Sequence, residues 1–520
     1  MNVAECLVAC LEEEGVSHVF GLPGEENEDL LFALRDSDVT WVPTRHEQGA
    51  AFMADVHGRI TGDAGVCLGT LGPGATNLIT GVADANLDKA PVVAITGQGG
   101  RERLHKESHQ AVDVVDMFEP ITKWNTQLSD ASVVHESIRK AFKVAEYEKP
   151  GATHVELPED VAAEETEAKP MASRDRVRRP DPDGDSVRRV AEMIEEADKP
   201  LAIVGNGVLR TRASDDVRGF VEKAGVPVAS TYMGKGAVSD RDPRSLMTLD
   251  SGDHEEAADA IGSSDLVLTF GYDVAEHDPG SWNAGDASVV HVDVEPAEVY
   301  EDYDPDVEVV SDIGAAARAL TELVPESDYT WYKPLRQHVL RDVDEGHDAF
   351  SVEGVVTVLR DVLADDDVLI SDVGSHKMKI AQNYPTYEPN TCIVSNGFAS
   401  MGIAVPGALA ADLALDEEVV VATGDGGFLM NSAELETAGR LGCGFTVVVF
   451  RDDDYRLISE KQRDSRGESY GTEIGNPDLQ RYAEAYGIEA FRPRTAGEIE
   501  RHLGRARDLD CLALVEIELG

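Results

Sequence analysis

The sequence predicts an α/β protein of three domains, each built on a doubly wound parallel sheet. Short, predominantly apolar runs such as Leu266–Phe270, Val419–Val421 and Phe445–Phe450 read as strands buried on both faces. Helical segments alternate with such runs, as parallel crossover connections require. The length of 520 residues accommodates about three domains at ~150 residues each.

In chain order, residues 2–14 predict an amphipathic helix ended at Gly15, followed by a strand at His18–Phe20. Gly21–Asn27 is a turn leading into another helix. A strand at Thr40–Val42 runs into Thr44-Arg45-His46-Glu47-Gln48 and a helix to Ile60. Gly65–Thr70 is strand-like, Gly72-Pro73-Gly74 breaks it, Ala75–Leu87 reads as helix and Pro91–Thr96 as a further buried strand. Residues 166–186 are charged, contain proline and lack apolar period, which makes them the linker. The expected domains are therefore 1–165, 187–330 and 350–520. In the second, strands at Leu201–Val204, Leu266–Phe270 and Val289–Val294 accompany the turn Gly205-Asn206-Gly207, a weak dinucleotide hint for which a structural turn is the better account. The third opens with a strand at Val368–Ser371.

Acidic residues number 99 against 46 Lys and Arg, a net charge of −53. They are spread along the chain while apolar periodicity persists, so the expectation is a folded protein with an acidic shell. Nucleic acid and anionic membranes are poor partners for such a surface. There is no apolar run of membrane-spanning length and no basic–apolar signal pattern at the amino terminus. The six cysteines are scattered without a CxxC pair, and Cys6 and Cys10 share an apolar helix face with Val3, Leu7 and Leu11. Buried thiols in a reducing cytoplasm are expected.

The stretch Glu418–Ile458 carries the chemistry. A strand enters the turn Gly424-Asp425-Gly426-Gly427, and a helix with Met430, Ala433, Ala438 and Leu441 on its buried face follows. The next strand ends in Asp452-Asp453-Asp454. Both acidic turns then lie at carboxyl ends of parallel strands, where open α/β sheets bind ligands. Glycines let a backbone approach phosphate oxygens, and Mg²⁺ takes one or two carboxylates beside phosphates. On this turn alone, an acidic connection that binds nothing accounts for the pattern equally well.

Further motifs decide between these. Gly424-Asp425-Gly426 with the later turn at Asp452 resembles the thiamin-diphosphate signature. Arg45-His46-Glu47-Gln48-Gly49-Ala50-Ala51-Phe52-Met53-Ala54 and Gly72-Pro73-Gly74-Ala75-Thr76-Asn77-Leu78 resemble the pyrimidine-binding domain of the acetolactate synthase family. Ser395-Asn396-Gly397 and Met401-Gly402-Ile403 match the turn before the helix of its cofactor domain. Phe270-Gly271-Tyr272-Asp273, Glu276-His277-Asp278-Pro279, Trp282-Asn283 and His291–Pro296 are similar to the middle domain of the FAD-independent, catabolic type, as is Asp372-Val373-Gly374-Ser375-His376 in the third domain. The biosynthetic type shows an Arg-Phe-Asp-Asp run where this chain has Gly271-Tyr272-Asp273, so FAD is not expected.

The resemblance implies pyrimidine-binding, central Rossmann-like and diphosphate-binding domains in that order. It implies that Glu47 bonds the aminopyrimidine ring, whose imino form deprotonates the thiazolium carbon. It further implies that Asp425 and Asp452 hold Mg²⁺ by side chain and Asp454 by its backbone carbonyl, leaving the side chains of Asp453 and Asp454 to the acidic surface. Ser375, His376, Gly426 and Gly427 are expected at the diphosphate, and Met401 as the apolar wedge that bends the cofactor. His109 and Gln110 fall where the family keeps substrate-pocket residues. Glu25 stands where the family has a small residue and leaves the acceptor open. The expected reaction condenses two pyruvates, as 2-keto acid substrates, into 2-acetolactate with loss of CO₂. Its rivals are simple 2-keto acid decarboxylation, another carboligation, or a flavin- or NAD-binding oxidoreductase. With Glu47 and the diphosphate site on different domains, the resemblance implies a site formed between subunits of a homodimer or homotetramer; no regulatory subunit is read from the sequence.

The charge generates the first prediction. Self-repulsion of this size weakens the compact state unless salt screens it, as in a halophile. Dialysis to low salt should abolish activity and lower the thermal midpoint measured by circular dichroism; undiminished stability there refutes salt adaptation.

Overall fold

Strands among the described residues form three six-stranded sheets, and the pairing is parallel throughout. The computed structural model describes residues 1–249, 260–282, 287–344, 346–509 and 511–519. The first sheet holds β1 (His18–Gly21), β2 (Thr40–Pro43), β3 (Gly65–Gly69), β4 (Val92–Gln98), β5 (Trp124–Gln127) and β6 (Ala152–Pro158). The second holds β7 (Pro200–Val204), β8 (Val228–Ser230), β9 (Ser245–Thr248), β10 (Leu266–Phe270), β11 (Ser288–Asp293) and β12 (Val307–Val310). The third holds β13 (Val368–Ser371), β14 (Cys392–Val394), β15 (Val419–Gly424), β16 (Thr446–Arg451), β17 (Glu489–Phe491) and β18 (Ala513–Glu518).

The first sheet is ordered β2-β1-β3-β4-β6-β5 and the third β14-β13-β15-β16-β18-β17, the same plan step for step. The second runs β12-β11-β10-β7-β8-β9, with its reversal of strand order between β10 and β7. Helices lie between these strands, so the expected fold class holds. Residues 167–183 carry neither helix nor strand. Asn283, part of the middle-domain resemblance, lies outside the described residues. No helix among the described residues is long and apolar enough to cross a membrane. Five cysteines are buried, Cys511 is exposed, and all are free thiols.

Local sequence accounts for the elements that place the site. Helix Val3–Glu13 begins with a capping box, in which Asn2 accepts from the Glu5 N–H and Glu5 from the Asn2 N–H. Helix Glu47–Thr61 ends at Gly62 in the left-handed region. Its small and apolar residues Ala50–Ala54 are fully buried, and the helix packs on helix Ala404–Ala414 of the third domain, with which it shares one core. A Cβ on Gly407 would come within 2.7 Å of the Val56 side chain, so glycine sets this approach.

One expectation fails. The segment after Gly427 is not a single helix with Met430, Ala433, Ala438 and Leu441 inside. It forms two helices, Asp425–Asn431 and Glu434–Leu441, and the break shifts the helical phase. Met430 and Ala433 are exposed, while Phe428, Leu435 and Ala438 supply the buried face. The break lets Glu434 start a new helix, where its carboxylate accepts the Arg45 and His46 N–H groups at 2.9 and 3.0 Å.

A buried charge cluster joins the first and third domains. Arg59 donates to Asp55 at 2.6 Å, to Asp88 at 2.8 Å and to Asp84 at 3.2 Å, and all three carboxylates are out of solvent. Asp84 accepts from Ser395 Oγ and the Ser400 N–H, both at 3.1 Å, and Asp88 from the Gly397 N–H at 2.6 Å. Burial and the neighbouring Asp88 and Asp55 charges hold the Asp84 carboxyl well above its ordinary range. Arg59→Met would strand three buried acids, so a loss of about 3–5 kcal/mol is expected at neutral pH from denaturant titration. The deficit should shrink as the pH falls, because the stranded carboxyls take up protons more readily in the folded than in the unfolded state. Wild-type stability at neutral pH would refute the role.

Candidate active site

The carboxyl ends of β13, β15 and β16 lie side by side at one edge of the third sheet and open on a cavity of about 220 Å³. Ser375, His376, Met401, Asp425, Gly426, Gly427, Asp452 and Asp454 all line it. The structure thus brings together every third-domain residue expected at the cofactor or the metal.

A residue to which the sequence assigned no role organises this edge. Asp372, fully buried after β13, accepts the Val373 N–H at 2.7 Å, the Gly402 N–H at 2.8 Å and Thr423 Oγ1 at 2.9 Å. One carboxylate therefore ties the end of β13, the turn bearing Met401 and the end of β15. Gly427 packs over it: a Cβ there would lie 2.9 Å from Asp372 Oδ2, and one on Gly426 would lie 2.8 Å from the Tyr455 ring. Glycine at both positions leaves the backbone open toward the cavity.

The acidic turns interlock. Asp425 Oδ1 accepts the Gly426 N–H at 2.9 Å, and Oδ2 accepts the Asp453 N–H at 2.9 Å and Asn476 Nδ2 at 2.6 Å. Asp452 accepts the Asp454 N–H at 3.2 Å and faces Arg456 Nε at 2.8 Å. Burial, reinforced by the Asp425 charge and opposed by Arg456, pushes the Asp452 carboxyl up to about 6. Asp453 takes a left-handed backbone, φ 55°, which aims its N–H at Asp425. The side chains of Asp453 and Asp454 are half-buried and hydrogen-bonded inside this network, to Arg451, Asn476 and Ser459, rather than free on the acidic surface as expected.

Among the described residues, no group of three His, Cys, Asp or Glu side chains is arranged to hold a metal ion by itself. A cation here would draw on Asp425 and Asp452 and complete its shell with backbone, phosphate or water oxygens, the habit of Mg²⁺. Unsatisfied atoms fit that demand. Asp454 Oδ1 and Asn476 Oδ1 are buried with no partner, and so is Nε2 of His376. His376 sits in the first turn of helix Ser375–Asn383, and burial lowers its pKa to about 4, which keeps the imidazole neutral. An anionic phosphate chain with a divalent cation suits this combination of open glycines, a helix amino terminus and unmet donors and acceptors.

The first-domain residues occupy a different edge. Glu47 opens helix Glu47–Thr61, is 5% exposed, and accepts Asn77 Nδ2 at 3.0 Å. A Cβ on Gly74 would lie 3.3 Å from its Oε1. Gly24 packs against Thr70, and the Gln110 carbonyl closes over Gly72, so the turns bearing Glu25, Glu47 and Gln110 share the carboxyl end of the first sheet. Glu25, His109 and Gln110 are exposed there. Beside Glu25, Glu26 is buried and accepts Thr70 Oγ1 at 3.1 Å. None of these first-domain residues lines the third-domain cavity. Asn476 and Glu434 were passed over in the sequence, and Asp372 was quoted there without a role, because each acts through partners that periodicity does not reveal.

In the middle domain the turn Gly205-Asn206-Gly207 is filled from within. Both Glu276 carboxylate oxygens accept the Asn206 N–H at 3.0 Å, and Gly205 and Gly207 pack against Gly271. The turn is structural, with a carboxylate of the chain itself at its N–H.

His376 gives a pH test in the cofactor-free protein. An unfolded histidine binds its proton near 6.5 and this one only near 4, so the group withdraws stability as the pH falls through that window. His376→Gln should gain stability relative to wild type between these pH values in parallel thermal melts; curves that stay parallel refute it.

Comparison with known proteins agrees with this geometry. Residues 1–117 match the N-terminal TPP binding domain of the thiamine pyrophosphate enzymes, residues 187–320 their central domain, and residues 372–517 their C-terminal TPP binding domain. The chain is 34% identical to the catabolic acetolactate synthase of Raoultella terrigena, covering 99% of this chain and 94% of that one. It is 32% identical to the acetolactate synthase of Bacillus subtilis, over 99% and 92% of the two chains. A probable acetolactate synthase large subunit of Methanocaldococcus jannaschii is also 32% identical, over 97% and 90%. Matched along almost its whole length and in all three domains, the chain belongs to the thiamin-diphosphate-dependent acetolactate synthase family.

Proposed function

We propose that the protein decarboxylates pyruvate and joins the remaining two-carbon unit to a second 2-keto acid, giving 2-acetolactate and CO₂. The observation that carries this is likeness to acetolactate synthases over the full chain, with Glu47 buried and its carboxylate held by Asn77. Thiamin diphosphate supplies the electron sink for the decarboxylation. Gly426, Gly427, Ser375 and His376 bind its diphosphate, and Asp425 and Asp452 hold Mg²⁺ with the Asp454 carbonyl. Met401 would give the bound cofactor apolar support, and Glu47 would hold and move a proton at its pyrimidine ring. His109, Gln110 and Glu25 border the substrate.

We place the division between domains at residues 165 and 187, with the third domain from 350. The cavity is lined by third-domain residues alone while Glu47 lies on the first sheet. This supports a homodimer or homotetramer in which the first domain of one subunit completes the cavity of another. The Glu276 carboxylate at the middle-domain turn favours a flavin-free enzyme.

Purified protein assayed in high salt with pyruvate, Mg²⁺ and thiamin diphosphate should form acetolactate. Acetaldehyde as sole product would reassign it as a decarboxylase, and a bound chromophore would reinstate a flavin. Glu47→Gln should cut turnover by about 100-fold or more while cofactor binding persists; retained turnover refutes its role. Sedimentation of a fully active monomer would refute the shared site.

A further inference from the structure

The chain between β4 and β5 carries His109 and Gln110, and both side chains are exposed. Burial therefore does not fix them. The backbone around them is nonetheless costly to hold. His105 and Gln110 take the left-handed region, φ 60° and 56°, which residues other than glycine seldom adopt. Such residues persist where their surroundings over-determine them, and they gather at ligand-binding sites. The grip on this loop must come from outside its own packing.

One guanidinium supplies it. Arg103 Nη1 donates to Glu159 Oε1, just past β6, at 2.8 Å and stands 3.6 Å from Glu26 Oε1. The other two nitrogens turn to the loop: Nε donates to Ser108 Oγ at 3.4 Å and Nη2 to the His109 carbonyl at 3.3 Å. The group lies over Gly99, where a Cβ would come within 3.2 Å of its central carbon. Both carboxylates are themselves held. Glu159 accepts the Gly100 N–H at 2.9 Å, and the buried Glu26 accepts Thr70 Oγ1 at 3.1 Å.

Beyond Gln110 the loop is caught again. Gln98 Nε2 donates to the Val112 carbonyl at 3.2 Å and to the buried Glu156 at 2.8 Å. Between these two grips the Gln110 carbonyl rests on Gly72, where a Cβ would overlap it. A lone surface ion pair contributes little. Here a planar fork reaches four partners on three segments, which a lysine ammonium on its flexible stem does not reproduce.

We propose that Arg103 is a positioning residue of the substrate pocket: it locks the His109–Gln110 loop to the turn of Glu25 and Glu26, and so sets how tightly the 2-keto acid binds. The inference rests on the reading that His109, Gln110 and Glu25 border the substrate. The Arg103 partners include neither Glu47 nor any residue lining the third-domain cavity, so cofactor affinity lies outside its reach.

The test compares pyruvate saturation curves and hydrogen exchange over residues 104–112, with every protein saturated with thiamin diphosphate and Mg²⁺. Arg103→Ala should raise KM for pyruvate about tenfold or more, keep kcat within about threefold and speed exchange across the loop. Its Kd for thiamin diphosphate should equal that of wild type. Added guanidinium ion should lower KM in Arg103→Ala and not in wild type, and Arg103→Lys should fall between the two. An unchanged KM in Arg103→Ala overturns the proposal, as does a rise in KM matched by an equal rise in the cofactor Kd, the mark of general loosening. Should Arg103→Ala fail to fold, wild-type KM and exchange in Arg103→Lys overturn it. A wild type that forms no acetolactate strikes the functional reading instead; exchange then decides, and equal exchange in wild type and variant overturns the role of Arg103.

Discussion

A single guanidinium surrounded by three buried carboxylates holds the two halves of the chain in register. Arg59 donates to Asp55, Asp84 and Asp88 inside the first domain, and two of those acids use their remaining lone pairs on the 395–400 turn of the third. Taking any one of these charges alone out of water would cost several kcal/mol. Together, with the turn's N–H and hydroxyl groups as donors, they are satisfied. The turn so anchored leads directly to Met401 and Gly402, and Gly402 is in turn gripped by Asp372. Placement of the cavity wall thus descends, bond by bond, from a salt bridge in another domain.

The same economy governs the acids of the third domain. This chain carries a great excess of carboxylates, and those that matter to the cavity are distinguished by what they accept. Asp372 takes two backbone N–H groups and a hydroxyl; Asp425 takes two backbone N–H groups and an amide. Acids such as Glu13 or Glu167 stay in solvent, where their charge serves the shell. Burial and partner count, not acidity, separate site from surface.

Central strands were legible because burial on both faces writes a predominantly apolar run, as in β10 and β16. Edge strands such as Trp124–Gln127 and Glu489–Phe491 escaped, since one side meets water and polar residues suffice there. The break at Ser432 escaped because neither Gly nor Pro marks it. Glu47, Asp425 and His376 were legible through motifs. Asp84, Asn476 and Glu434 were not: the Asp84 partner Ser395 lies 311 residues along the chain, and no local pattern encodes that distance.

The first and third sheets share one strand order, and the helices that join the domains occupy matching places in it. Glu47–Thr61 runs between β2 and β3, and Ala404–Ala414 between β14 and β15. Their contact therefore joins equivalent elements of two like domains, as an isologous interface joins equivalent surfaces of two identical subunits. In its outer thirds the chain is a dimer of itself, with the copies specialised apart. After the second strand of the plan one copy presents Glu47 and the other Met401; after the third, one presents the Gly72 turn and the other Asp425. Close packing makes the facing residues of both helices answer to each other: bulk added at Val56 or Gly407 would press on a single seam from opposite sides.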